Sequence, residues 1–172
     1  MCLWTQGCSK RCEGCISPEL QSPSGAEVDE RILAALLARI AEKNECRGLT
    51  ISGGDPFEQA GALLELLKQV RGVFEDILVY TGYCLSEIMC GAAGEEGKQC
   101  LEYIDVLIDG RYIRSLNSPD CVLRGSSNQN ILFFRDDKRP LYEEYMKKGR
   151  IVETFAHDNM TIITGIINEE EK

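Results

Sequence analysis

Four short apolar runs, CLWT at 2–5, GLTIS at 48–52, DILVYTG at 76–82 and DVLIDG at 105–110, each break into a loop rich in glycine, aspartate or cysteine. Between the first three lie stretches of helical periodicity. Val28, Ile32, Leu36 and Ile40 recur every four residues with Leu33 and Leu37 beside them, and Leu63, Leu64, Leu67 and Val70 form a second set. Strands alternating with helices imply a parallel sheet with helices outside it. Ligands of such folds sit at the carboxyl ends of the strands. QGCSKRCEGC (6–15), SGGDP (52–56), TGY (81–83) and IDGR (108–111) are therefore expected on one rim.

The remaining elements follow from local signals. Ser24 with Glu27 reads as a capping box opening the first helix, and Asp55 with Pro56 as the cap and first position of the second. Gly91, Gly94 and Gly97 break 84–104 into short helical pieces. NILFF at 130–134 is a fifth strand, 140–148 a short helix, RIVETF at 150–155 a sixth strand, and MTIITGII at 160–167 a last strand hairpinned with it. Residues 168–172 form an acidic, solvated tail.

At 172 residues the chain is expected to form one domain, 1–172. Its formal net charge of −9, without a basic stripe, argues against nucleic acid as a partner and leaves room for a small nucleotide-like ligand. No apolar run reaches membrane-spanning length, and Met1 leads into Cys2, Leu3 and Trp4 without a secretion signal. A cytoplasmic location is the expectation. Nine cysteines there are not a disulfide framework. Cys46, Cys84, Cys90, Cys100 and Cys121 are scattered with no common ligand spacing, which makes buried thiols the simpler reading than an auxiliary cluster.

Only Cys8, Cys12 and Cys15 have ligand spacing, and they are one short of four. A zinc site would need a distant fourth ligand, and the chain has a single histidine, His157. The other explanation is a [4Fe–4S] cluster on three thiolates with one iron left open. Zinc in a non-catalytic binding module is the reading from another class, and it leaves SGGDP, TGY and IDGR unexplained as a set.

The Cx3Cx2C spacing after a first strand resembles the signature of the radical S-adenosylmethionine superfamily, and SGGDP resembles its GGE/GGD motif. LWTQGCSKRCEGC, ISGGDPFEQ, VYTGY, DVLIDGRY and LRGSSNQNI, in that order, resemble the branch that activates anaerobic (class III) ribonucleotide reductase. The resemblance implies a partial (β/α)6 barrel with helices outside a parallel sheet, iron ligation by Cys8, Cys12 and Cys15, and S-adenosylmethionine as cofactor. It implies cofactor contacts from Gly14, Cys15 and Ile16 and from the turn Ser52, Gly53, Gly54 and Asp55. More loosely it implicates Asp109 and Arg111, for which a turn aspartate and a surface arginine are the alternative, and Tyr83, which lines the pocket or merely stands near it. The implied activity is reductive cleavage of the cofactor and hydrogen-atom abstraction from a backbone glycine of the reductase, or of another peptide on the same scaffold. The implied electron donor is a flavodoxin or ferredoxin. RGSSNQ at 124–129 holds the partner, shapes the strand-five rim, or is simply a polar turn. The family carries a stretch with an Asp-Gly-Pro-Gly type turn before its first strand; this chain starts within that strand, so the first strand is expected to be cut short.

Overall fold

A computed structural model describes residues 1–23, 25, 27–157 and 160–166. Strands β1 (Cys2–Thr5), β2 (Gly48–Gly53), β3 (Asp76–Tyr80) and β4 (Val106–Asp109) lie side by side in chain order and run parallel. Helices α1 (Glu30–Lys43) and α2 (Ala60–Val70) make the first two crossovers, and α3 (Leu85–Met89) with α4 (Gly94–Cys100) the third. Strand β5 (Asn130–Phe133) completes the sheet antiparallel to β4, with Asp109 opposite Asn130. Helix α5 is Arg139–Met146, and β6 (Val152–His157) pairs antiparallel with β7 (Met160–Gly165) in a separate two-stranded sheet.

Period-two alternation explains how the sheet is covered. Leu49, Ile51, Ile77, Val79 and Leu107 point to one face, where Leu37, Leu63, Leu67, Ile88 and Cys100 from the helices close the main core. Leu78, Val106 and Ile108 point to the other, where Tyr142 of α5 covers them. β4 is buried along its whole length, through Val106, Leu107 and Ile108 to Asp109.

Three expectations need correction. The main sheet has five strands among the described residues, not six, and the fifth is antiparallel, so the architecture is mixed α/β with a mostly parallel sheet. The physical reason lies in 110–129: that link holds one 3-10 turn, Arg114–Leu116, and no crossover helix of the kind a parallel return uses. The hairpin expected of 150–167 is present but stands outside this sheet.

The first helix is also capped differently, and only part of its apolar set faces the core. Asp29 caps it, its Oδ1 accepting from Arg31 N–H at 2.9 Å and Ile32 N–H at 3.2 Å; Ser24, of the expected capping box, lies outside the described residues. Ala34, Leu37 and Ala41 face the core, whereas Ile32 is 67 % and Leu36 48 % exposed. Ala34, Leu37 and Ala41 join the main core, with Leu33 packed against it. The acidic tail and the side chain of His157 lie outside the described residues.

Candidate functional site

The loop after β1 is held by backbone bonds on two sides. Gly7 N–H donates to Leu20 C=O at 2.8 Å and Cys8 N–H to Gln21 C=O at 3.0 Å. From the other side Gly54 N–H donates to Thr5 C=O and Asp55 N–H to Gly7 C=O, both at 2.8 Å. Gly53 has φ +105, and a Cβ there would run into the Thr5 backbone; one on Gly54 would run into Gly7. The close approach that demands glycine in SGGDP is thus, in this chain, an approach to the cysteine loop itself.

Cys8, Cys12 and Cys15 are half-buried on that loop. Arg11 (φ +48) and Gly14 (φ +73) both take left-handed backbone there. The N–H groups of Lys10 and Arg11 point at the Cys8 sulfur. Burial pushes the Cys8 thiol above its ordinary value, and the charges of Asp55 and Glu58 push the same way against those N–H groups. Among the described residues no three Cys, His, Asp or Glu side chains converge on one point, so the trio shares a loop without closing a metal cage. As a donor set, three thiols with backbone N–H groups turned toward one sulfur suit an iron–sulfur cluster.

The turns after β2 and β3 are fastened to one another by Asp55, which is 1 % exposed. Its Oδ1 accepts from Phe57 N–H at 3.1 Å and Thr81 Oγ1–H at 2.8 Å, and its Oδ2 from Gly82 N–H at 3.0 Å. Burial raises its carboxyl above the usual range even against these bonds. The 3-10 turn Pro56–Gln59 then brings Glu58 beneath the cysteine loop, where it accepts from Ser9 N–H at 3.2 Å and Ser9 Oγ–H at 2.5 Å. Burial raises the Glu58 carboxyl, but the Ser9 bonds and the Lys10 charge outweigh it, and it ends below its ordinary value.

Asp109 is buried, and both its oxygens are engaged by protein: Leu85 N–H at 2.7 Å on one, Asn130 N–H at 3.2 Å and Asn130 Nδ2–H at 2.8 Å on the other. RGSSNQ folds inward onto the same rim. Gln129 Oε1 accepts from Gly125 N–H at 2.8 Å and Ser126 N–H at 3.1 Å, and its Nε2 donates to Gly110 C=O at 2.8 Å. Asn128 Nδ2 donates to Arg111 C=O at 2.8 Å, leaving the Arg111 side chain exposed. Arg114 closes the circuit back to the cysteine loop through Glu13 at 3.4 Å. These two flank a groove of about 520 Å³ that Tyr112, Ile113 and Ser115 complete.

The four loops expected on one rim are therefore joined to one another by hydrogen bonds and ion pairs. Ser52, Gly53, Gly54 and Tyr83 are half-buried in it, and Ile16 is exposed. The side chains that do the joining, Ser9, Lys10, Glu58, Thr81 and Gln129, had no marking spacing in the sequence. Of the scattered cysteines, Cys100 is buried in the core and pushed up to about 12 by burial, while Cys84 and Cys90 are exposed.

The family described as "4Fe-4S single cluster domain" matches residues 1–132, a span holding the trio and all five strands of the main sheet except the end of β5. The chain is 37% identical over 138 residues to the anaerobic ribonucleoside-triphosphate reductase-activating protein of Pasteurella multocida, covering 77% of this chain and 85% of that one. The chain belongs to the anaerobic ribonucleoside-triphosphate reductase-activating protein family. Members from Vibrio cholerae (35% over 138 residues, 75% and 84% covered) and Haemophilus influenzae (33% over 139 residues, 77% and 86% covered) agree. No solved structure matches the chain. Membership in a 4Fe-4S family of activating proteins favours the cluster over zinc for the trio.

Proposed function

We propose that this chain is a radical S-adenosylmethionine activase that generates a glycyl radical on an anaerobic ribonucleotide reductase. The observation that carries this reading is the locking of the three-cysteine loop onto the Gly53–Gly54 turn within a chain of the 4Fe-4S activating-protein family. A [4Fe–4S] cluster with bound S-adenosylmethionine supplies one-electron reductive cleavage of the sulfonium and, through it, hydrogen-atom abstraction.

The chain's own residues bind and orient. Cys8, Cys12 and Cys15 hold the iron. The backbones of Gly14, Cys15 and Ile16 on one side, and of Ser52, Gly53 and Gly54 on the other, border the cofactor. Tyr83 walls the site, and exposed Arg111 supplies a cation for the cofactor carboxylate. Asp55 and Asp109 act as braces in this assignment, since their oxygens are already taken within the protein. Strands β1–β4 correspond to the first four of the superfamily's partial barrel, open at the side to admit a loop of a macromolecular target. The protein works in an anaerobic cytoplasm with a flavodoxin or ferredoxin as donor, and without nucleic acid or membrane. No helix among the described residues is long and apolar enough to span a bilayer.

The test is anaerobic reconstitution with iron and sulfide, reduction with dithionite, and assay of 5′-deoxyadenosine. The expected result is a brown protein that cleaves S-adenosylmethionine and a Cys12→Ala variant that does not. A glycyl-radical EPR signal should follow on adding an anaerobic reductase. A colourless, zinc-holding protein would overturn the reading; cleavage without a radical on the reductase would redirect it to another peptide target.

A further inference from the structure

Between Cys8 and Cys12 the loop turns a lysine inward. The Lys10 side chain is 7 % exposed, although lysines ordinarily carry their ammonium into water. Its Nζ stands 3.1 Å from the centroid of the Tyr83 ring and 3.6 Å from Glu58 Oε1. Its stem runs against Gly82, where an added Cβ would come within 2.9 Å of Lys10 Cγ. Lys10 therefore threads between the turns after β2 and β3 and meets a residue of each.

The charges around it define a second role. Asp55 and Glu58 both act on the Cys8 sulfur, and Lys10 acts on both carboxylates. Lys10 is thus their counter-charge beside the loop that holds the cysteines. A cluster on three thiolates carries net negative charge and gains one more on reduction. A desolvated cation carried on the loop that holds the cluster stabilises the reduced form more than the oxidised, because the attraction grows with the charge it faces. Its cation–π contact with Tyr83 keeps it there in place of an outward swing to solvent.

We propose that Lys10 is a positioning residue that ties the three-cysteine loop to Glu58 and Tyr83 and, by its charge, eases one-electron reduction of the cluster the loop holds. The proposal rests on the cluster reading above. The experiment compares the parent chain with Lys10→Met, Lys10→Arg and Glu58→Gln, each reconstituted anaerobically. It reads iron and sulfide content, thermal stability before reconstitution, and the reduced fraction by EPR in a mediator titration without S-adenosylmethionine.

Lys10→Met keeps the length of the stem without its charge. At the potential that half-reduces the parent, its ratio of reduced to oxidised cluster should fall about tenfold, equal to about 59 mV for one electron. Lys10→Arg should recover most of that. Glu58→Gln removes a negative charge from the same group, so its ratio should rise. The opposite signs are what a purely structural role would not produce. Should Lys10→Met fail to hold a cluster, Lys10→Arg must restore it and Glu58→Gln must still raise the ratio. An unchanged ratio in Lys10→Met, no recovery in Lys10→Arg, or shifts of one sign in Lys10→Met and Glu58→Gln would overturn the proposal. A parent chain that takes up no iron and sulfide would instead overturn the cluster reading on which it stands.

Discussion

The Thr81 hydroxyl donates a 2.8 Å hydrogen bond to the Asp55 carboxylate across 26 positions of sequence, at a site where Asp55 is 1 % and Thr81 5 % exposed. Asp55 ends the glycine turn after β2, and Thr81 begins the turn after β3. That single buried contact, with Gly82 N–H on the other oxygen, keeps two of the four rim loops in register. A buried carboxylate is tolerated because each oxygen has a donor.

Asp55→Asn turns one of these acceptors into a donor facing the Gly82 or the Phe57 and Thr81 groups. It should destabilise the chain by about 1–3 kcal/mol. The pH dependence has a definite sign. The folded carboxyl lies above its ordinary 3.8, so the folded state holds the proton more tightly than the unfolded state. The stabilising contribution is present at the acid end and is lost as pH rises from 3.8 through the raised folded value. Urea melts of parent and Asp55→Asn across that window should show the parent's advantage narrowing with rising pH and then levelling.

The glycines of the β2 turn are not equivalent to glycines elsewhere. Gly53→Ala combines φ +105 with a clash against the Thr5 backbone and should cost about 2 kcal/mol or more. Gly61→Ala, in helix α2 with nothing within 4 Å of the new Cβ, should raise stability by about 0.5–1 kcal/mol. Denaturant midpoints of the two variants should therefore move in opposite directions.

The orientation of α1 predicts another pair. Leu37→Ala removes a side chain that is 4 % exposed and should cost about 2–5 kcal/mol. Ile32→Lys, at a position 67 % exposed, should leave stability within about 0.5 kcal/mol. A large loss from Ile32→Lys in thermal melts would instead place the Ile32 side of α1 against the core.

Gln129 carries the fold of RGSSNQ, with both ends of its amide bonded and 8 % of the residue exposed. Gln129→Leu is close in size but leaves the Gly125 and Ser126 N–H groups and the Gly110 carbonyl without their partner. It should destabilise by about 2–3 kcal/mol. Limited proteolysis should cut within 110–129 faster than in the parent, while cleavage elsewhere keeps its order.

The strand–helix alternation, the four loops at the strand ends and the cysteine trio were legible because each follows from spacing within a few residues. Periodicity reports β and α geometry, and Gly or Asp at a strand end reports the turn. Asp55 and Pro56 were readable as a cap by the same local rule, although they open the 3-10 turn Pro56–Gln59 and helix α2 begins only at Ala60. The face of α1 was not, since Val28, Ile32, Leu36 and Ile40 repeat as regularly as the row that is buried. Which row turns inward is set by packing against the sheet and α2, and the structure turns Ala34, Leu37 and Ala41 to the core.

By itself the sequence determined most of the elements, their order and the close spacing of Cys8, Cys12 and Cys15, all of them properties of neighbouring residues. Tertiary structure alone decided that β5 turns back antiparallel and that Gly53 and Gly54 are spent on the cysteine loop. It also decided that Lys10 is buried between Glu58 and Tyr83. Those outcomes depend on contacts between segments dozens of residues apart, where packing space and desolvation choose partners that no local spacing encodes.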